Sequence, residues 1–406
     1  MALSSPLELG ALPVVHEGWW GSHVVYRKFS RQVGMDIVTA SFVHRDATPK
    51  ANIIFVTGIF ETFLKYSELI KSLFEEGYNV FTYDHQSQGL SGRWLAETQS
   101  VWVNKFEDYI DDFLHLALLI NKEYAKIPIN FIGHSMGGFI GACSMAKMPT
   151  LINRAVLVAP MIRMKCGLKL FNYKNPLHYS LAHKLAAFHV AIGMGKTNAL
   201  GNFIEKPEAV APPCVLTSSK GEMDLWAALR TKLPHVLTSC PTYQWILLSM
   251  EMQALFSLRY DCVMTNTLII AAEHDFLVYN SAMQAFSQKA KACEMAIAPG
   301  AYHEVLLEKQ SVKVAAVQTI KNFFGQKEGS VKEVRKYTCI RTVCDLSIHS
   351  LIHIFFIQVE LVSPIVKCTD KMLAVSMQDR VVTSLGLVAC SVGIAYGVSV
   401  LMKGRF

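Results

Sequence analysis

The stretch 131–140 reads FIGHSMGGFI and carries the spacing Gly133-His134-Ser135-Met136-Gly137. An apolar run leads into Ser135, and the small-residue segment "GGFIGACSMAK" (137–147) follows it. That is a strand, a sharp turn and a helix, with the serine at the turn and a glycine on either side to permit it. Glycine and serine are common, so G-x-S-x-G decides nothing alone. A serine hydroxyl is a weak nucleophile at neutral pH and needs a base, a group to orient that base, and donors for a developing oxyanion. The pattern therefore sets a search along the rest of the chain.

Working outward, short β-branched or aromatic runs recur at 36–44, 52–58, 79–84, 129–134, 155–160, 267–273 and 294–299. The later ones are continuous apolar runs, as expected of strands buried on both faces. Amphipathic stretches such as "KYSELIKSLFEEG" (65–77) and "FEDYIDDFLHLALLINKEY" (106–124) lie between them. Strand alternating with helix predicts an α/β protein with a mostly parallel central sheet covered on both sides. The alternation fails between about Met161 and Tyr260, which predicts a helical insertion without strands of its own, a cap at about 161–255 within a domain spanning 1–325.

The partners of the serine should sit on loops after later strands, in the chain order Ser, Asp, His. Strand 267–273 runs into "HDFLV", placing Asp275 just past its end, and strand 294–299 runs into "GAYHEVLLE", placing His303 on the next loop. Glu273 and Asp261 are rivals for the acid; the first is expected within the strand and the second before it. His134 and His274 are rivals for the base, and neither is positioned to swing back onto Ser135 with the geometry that proton transfer needs. His134 is expected to pack at the turn. Oxyanion donors are expected from the backbone N–H of Met136 and, in the loop after 52–58, of Ile59.

Composition narrows the classes. The 406 residues are 51% hydrophobic and only 17% charged, against about 25% charge in average soluble domains. The net charge of +7 comes without a long Lys/Arg run, so no nucleic-acid partner is indicated. Ten cysteines are scattered without a C-x-x-C pair, and neither a metal centre nor a cofactor site is indicated. His349 and His353 are four apart but lack a third ligand. The first twenty residues do not read as a secretory signal, which together with the cysteine usage predicts a reducing, cytosolic setting for the main domain.

Residues 326–380 read as a linker with an apolar, interfacial segment at 346–366, interrupted by Glu360 and Pro364. Residues 381–402, "VVTSLGLVACSVGIAYGVSVLM", hold no charge and are long enough to cross a bilayer core. Gly393 and Gly397 give a G-x-x-x-G that permits close helix approach. A buried core helix is the alternative. The expectation is a transmembrane helix that tail-anchors the protein with its catalytic domain facing the cytosol.

Together "GIFETFLKYSEL", "YDHQSQGLSGR", "GHSMGG", "VLVAPM", "PTYQWI" and "GAYHEVLLEK", with the helix "NKFEDYIDD" (104–112), resemble the lysophospholipase and monoacylglycerol lipase family of α/β-hydrolases, bacterial lysophospholipases above all. The resemblance covers roughly 20–325. It implies the α/β-hydrolase fold, Ser135 as nucleophile, Asp275 as acid, His303 as base, Ile59 and Met136 as oxyanion donors, and 161–255 as a cap over an acyl channel. Two departures stand out. The family's usual His-Gly is Thr57-Gly58 here, and Gln86 and Ser87 replace an arginine and a glycine in "DHQSQGLS". Both bear on the oxyanion loop.

The function expected is ester hydrolysis of a single-acyl lipid, a lysophospholipid or a monoacylglycerol. Acyl transfer through the same triad and a non-catalytic membrane-tethered scaffold are the alternatives. Phe188, Met194, Trp226, Tyr243 and Trp245 are candidate channel residues, or simply cap core.

Overall fold

The computed structural model describes residues 18–166, 178–200 and 216–326. The apolar segment 346–366, the His349/His353 pair and the 381–402 span lie outside the described residues. Among the described residues, no helix is long and apolar enough to cross a membrane.

The strands are β1 (Val24–Gln32), β2 (Met35–Phe42), β3 (Asn52–Val56), β4 (Asn79–Tyr83), β5 (Ser100–Val101), β6 (Ile129–His134), β7 (Arg154–Val158), β8 (Cys240–Pro241), β9 (Asn266–Ala272) and β10 (Cys293–Ala298). The helices are α1 (Gly18–His23), α2 (Ser67–Glu75), α3 (Glu107–Glu123), α4 (Ser135–Lys147), α5 (Tyr179–Ala191), α6 (Lys220–Lys232), α7 (Tyr243–Ser257), α8 (Asn280–Lys289) and α9 (Gln310–Gly325). Eight strands form one sheet in the order β1-β2-β4-β3-β6-β7-β9-β10. Its first two pairings, β1 with β2 and β2 with β4, are antiparallel, and the rest are parallel. The expected mostly parallel sheet is therefore present, and each of the seven runs read from sequence is one of its strands.

The central strands carry apolar side chains toward both faces of the sheet and are buried on both. Along β3, Ile54 and Val56 join the core on one side, with α3, α4 and α8. Ile53 and Phe55 join the core on the other, with α2 and α9. Helix α3 buries Tyr109, Phe113, Leu116, Ala117 and Ile120, the spacing of one helical face, and Glu107 and Asp108 at its start suit the positive end of its dipole.

Three expectations need correction. Strand β1 was not foreseen: Arg27, Lys28 and Arg31 interrupt its apolar pattern because it is an edge strand, joined to β2 by a turn at Gly34 (φ 79°). The run at 294–299 is not buried on both faces, since β10 is the opposite edge and Ile297 is exposed. The cap is not strandless. Its two-residue β8 pairs in parallel with β5, and Ser239 and Thr242 donate backbone bonds to Gln99 and Val101, tying the cap to the loop after β4.

Helix α4 is buried on every side through Ala146 and lies hard against the sheet. A Cβ on Gly137 would stand 2.4 Å from the carbonyl oxygens of both Val56 and Thr57. Backbone cannot yield as a flexible side chain can. Gly137→Ala should therefore lower stability by roughly 1–3 kcal/mol, read by urea denaturation; an unchanged midpoint would mean that α4 shifts freely over β3.

Candidate active site

Ser135 is the first residue of α4 and has φ 50°, a left-handed conformation that places its side chain at the turn out of β6. Left-handed backbone at a non-glycine residue costs of order 1–3 kcal/mol and persists only where its surroundings enforce it. Here β6 on one side and α4, pressed onto β3, on the other leave no alternative path.

The loops after β9 and β10 bring Asp275 and His303 to this turn. Ser135 Oγ lies 2.9 Å from His303 Nε2, and His303 Nδ1 lies 2.8 Å from Asp275 Oδ2. All three side chains are buried. Asp275 Oδ1 also accepts from the backbone N–H groups of Leu277 and Val278 at 2.8 and 2.9 Å. Burial pushes its carboxyl up, but the charge and hydrogen bond of His303 and the two N–H donors outweigh that and hold it below the usual carboxylate range. An ionised carboxylate only accepts, so Nδ1 of His303 carries a hydrogen and, in the neutral ring, Nε2 offers its lone pair to the serine hydroxyl.

The rivals fall away from this cluster. Glu273 is exposed just beyond β9, not within it, and accepts from Gly300 N; His274 is exposed and pairs with Glu273 at 3.7 Å. Asp261 is exposed in the turn before β9.

Two oxyanion donors are expected near the serine. Met136 is the next residue of α4, and Ile59 is in the loop after β3. That loop touches the turn: a Cβ on Gly58 would be 3.1 Å from Ser135 Cβ. Phe60 holds the loop's shape with φ 63°, and its N–H donates to Gln88 Oε1 at 2.5 Å. The departures from the family pattern are accommodated. Gln86 points to α3, donating to Asp112 Oδ2 and accepting from Trp94 Nε1, both at 2.8 Å. Ser87 takes a left-handed φ of 64° and donates to Trp102 O.

Sequence reading missed a buried polar cluster behind the serine. Glu61 Oε2 accepts from Gly58 N at 2.5 Å and from His134 Nδ1 at 3.1 Å, and Oε1 accepts from Tyr66 OH at 2.7 Å and Lys65 Nζ at 3.2 Å. Lys65 Nζ also donates to Glu304 Oε1 at 2.6 Å, and His134 Nε2 lies 3.2 Å from the His303 carbonyl oxygen. Tyr66 OH is 3.2 Å from His134 Nδ1 but donates its one hydrogen to Glu61. Both ring nitrogens of His134 thus face acceptors, an arrangement that favours the imidazolium. Burial opposes that charge, but Glu61 outweighs it and lifts His134 above its ordinary value. For Glu61, burial is overcome in turn by His134 and Lys65, and its carboxyl is held far below the usual range. The signal for this cluster was present in "GIFETFLKY" as a charged pair, Glu61 and Lys65, in an apolar loop.

Of the candidate channel residues, Tyr243 and Trp245 are buried, and Trp226 is half-buried between Lys65 and Arg230. Phe188 and Met194 are 53% and 41% exposed.

A serine on a strained strand-to-helix turn, meeting a histidine and an aspartate at the carboxyl ends of later strands of a mostly parallel sheet, defines an α/β-hydrolase. The family profile described as "Serine aminopeptidase, S33" matches residues 47–310, and the chain belongs to that family. It is 30% identical to lysophospholipase L2 of Escherichia coli (strain K12) over 307 residues, 72% of this chain and 86% of that protein. Monoglyceride lipase of Rattus norvegicus is 33% identical over 115 residues, 28% of this chain and 36% of its own length. In fold, the chain is similar to a soluble variant of monoglyceride lipase from Saccharomyces cerevisiae solved with a substrate analog (TM-score 0.58, 18% identity, 74% of this chain and 94% of that one).

The buried pair Glu61–His134 makes stability depend on pH. The carboxyl, ordinarily at 4.5, is depressed, so its contribution is present above that value and lost as pH falls. The imidazole, ordinarily at 6.5, is raised, so its contribution is complete below that value and lost as pH rises through its elevated one. The stability gap between wild type and His134→Gln, measured by urea denaturation, should narrow as pH rises above 6.5, the ordinary imidazole value. A constant gap would mean that the ring is uncharged throughout.

Proposed function

We propose that this protein is a serine hydrolase that cleaves the carboxylic ester of a single-acyl lipid, a lysophospholipid or a monoacylglycerol. The observation that carries the reading is the buried hydrogen-bonded chain from Ser135 Oγ through the His303 ring to the Asp275 carboxylate. His303 Nε2 takes the hydroxyl proton as Ser135 Oγ attacks the acyl carbonyl, and Asp275 steadies the imidazolium that forms. The N–H groups of Ile59 and Met136 receive the oxyanion. Collapse of the tetrahedral intermediate breaks the ester bond, and His303 returns its proton to the departing alkoxide. Water, deprotonated by His303, then attacks the acyl-serine and releases the fatty acid. The lipid substrate class is supported by the relatives, which are a lysophospholipase and monoglyceride lipases.

Covalent labelling by a fluorophosphonate probe tests the nucleophile. Wild type should label and Ser135→Ala should not, while His303→Ala and Asp275→Asn should lower kcat by about 10⁴-fold. A panel of lysophospholipids and monoacylglycerols then identifies the head group. A folded wild type that neither labels nor cleaves any of them would overturn the reading.

Membrane attachment through 381–402 belongs to the same reading, supported by an uninterrupted run of 22 uncharged residues. Deletion of 376–406 should move the protein from the membrane pellet to the supernatant on sedimentation. An unchanged distribution would remove the anchor.

A further inference from the structure

The triad and the oxyanion donors leave one buried titratable cluster unused: Glu61, Lys65, Tyr66, His134 and Glu304. Its members come from three chain segments that the proposed reaction needs in register. Glu61 is in the loop that carries Ile59, His134 precedes Ser135, and Glu304 follows His303. We propose that Glu61 anchors a two-armed brace in which His134 and Lys65 are positioning residues, holding the segment His303–Glu304 against the oxyanion loop. The inference rests on the hydrolase reading above.

The inner arm runs from Glu61 Oε2 through the His134 ring to the main-chain oxygen of His303 (3.1 and 3.2 Å). The outer arm runs from Glu61 Oε1 through Lys65 Nζ to Glu304 Oε1 (3.2 and 2.6 Å). The same carboxylate takes Gly58 N, next to Ile59. One group therefore fixes the oxyanion loop and, through two cations, the backbone on which the proposed base sits. Neither arm touches the reacting atoms. The inner arm restrains the backbone of His303 and the outer arm the side chain of the next residue, so the pair brackets His303 at its carbonyl and at its neighbour.

The charges favour a brace over a simple ion pair. The groups facing His134 are Glu61 and Tyr66, Lys65 from the turn 63–66, and His303 and Glu304 from the loop after β10. Within this set the carboxylates Glu61 and Glu304 are balanced by Lys65 and the His134 imidazolium. Removing either cation leaves a buried carboxylate short of a partner, and that segment is then free to move. A shift of about 1 Å in a base or oxyanion donor costs up to about 100-fold in rate.

The experiment measures kcat, KM and fluorophosphonate labelling rate for His134→Gln, Lys65→Met and Lys65→Arg, with melting curves for each. It also records the nitrogen NMR signals of the His134 ring in the wild type. Cutting either arm should lower kcat and labelling rate by about 10- to 100-fold with KM within about twofold, and Lys65→Arg should recover most of the loss. The His134 ring should carry both hydrogens near neutral pH. The brace is overturned if both cut variants fold and work at the wild-type rate, or if the ring is neutral. It is also overturned if neither cut variant folds, or if kcat and KM are lost together without rescue by arginine, since the arms are then only structural. A wild type that neither labels nor cleaves any ester sinks the hydrolase reading instead, so the two failures are told apart.

Discussion

The close approach of α4 to the end of β3 is the constraint on which the rest depends. With Gly137 pressed onto the carbonyls of Val56 and Thr57, the chain leaving β6 has one residue in which to turn, and that residue is Ser135 at φ 50°. The strain is small beside the apolar surface that α4 buries on all sides. The turn lifts the serine side chain out at the carboxyl rim of the sheet, the edge at which a mostly parallel sheet presents the loops after its strands. The positions of Asp275 and His303 follow from that. In the strand order, β9 is two places from β6 and β10 three, so their loops have only to lean inward to reach the serine.

Left-handed backbone collects at the same rim. Phe60, Ser87, Ser135 and Ala159 are the non-glycine residues with positive φ among those described, and they follow β3, β4, β6 and β7. Each has a local restraint. Gln88 holds Phe60, Trp102 O holds Ser87, and Ala159 N donates to Ile270 O on β9. Ser87 adopts a left-handed φ that glycine takes at no steric cost, so its bond to Trp102 offsets a cost that glycine would not incur. Its neighbour Gln86 is more demanding. It fills a buried space beside Asp112, whose carboxyl burial pushes up to about 7 even with Arg31 and Gln86 beside it. An arginine there would neutralise that carboxylate; glutamine leaves the balance to Arg31, at 3.1 Å.

The legible part of the molecule was the part with one local rule. Runs such as Ile53–Val56 and Leu268–Ala272 are apolar at every position because both faces are covered, and their spacing implied the parallel sheet. Ser135 and Asp275 were legible because each sits just after such a run, and His303 because it is on the loop after the next strand, β10. The edges were not. Strand β1 is polar where it meets solvent, and β10 is apolar yet exposed, since an edge strand is specified by its neighbour and not by its own pattern. The β5–β8 pair is two residues long, below any periodicity. Exposure in the cap was illegible for the same reason: Phe188 and Met194 read as interior by residue type, and only the packing of α5 on α7 shows which face is left out.

The cluster behind the serine was hidden by distance, not by lack of pattern. Lys65 and Glu304 are 239 residues apart in the chain, and the sequence marks His134 as a rival base or a residue packed at the turn, with no partner indicated. Its position rules out the role of base for a reason the turn itself dictates. His134 is the last residue of β6 and Ser135 the left-handed first residue of α4, and the turn between them sends Ser135 to His303 Nε2 and His134 toward Glu61 and Tyr66. It still ends 5.1 Å from the His303 ring, because the loop after β10 curls over the turn and offers its carbonyl from behind. A histidine in that place faces a carboxylate on one nitrogen and a carbonyl on the other, and only the doubly protonated ring satisfies both. A neutral residue of similar size would leave one acceptor buried and unmet, at a cost of about 1–3 kcal/mol. The turn therefore puts His134 where the charged ring is favoured over the neutral one.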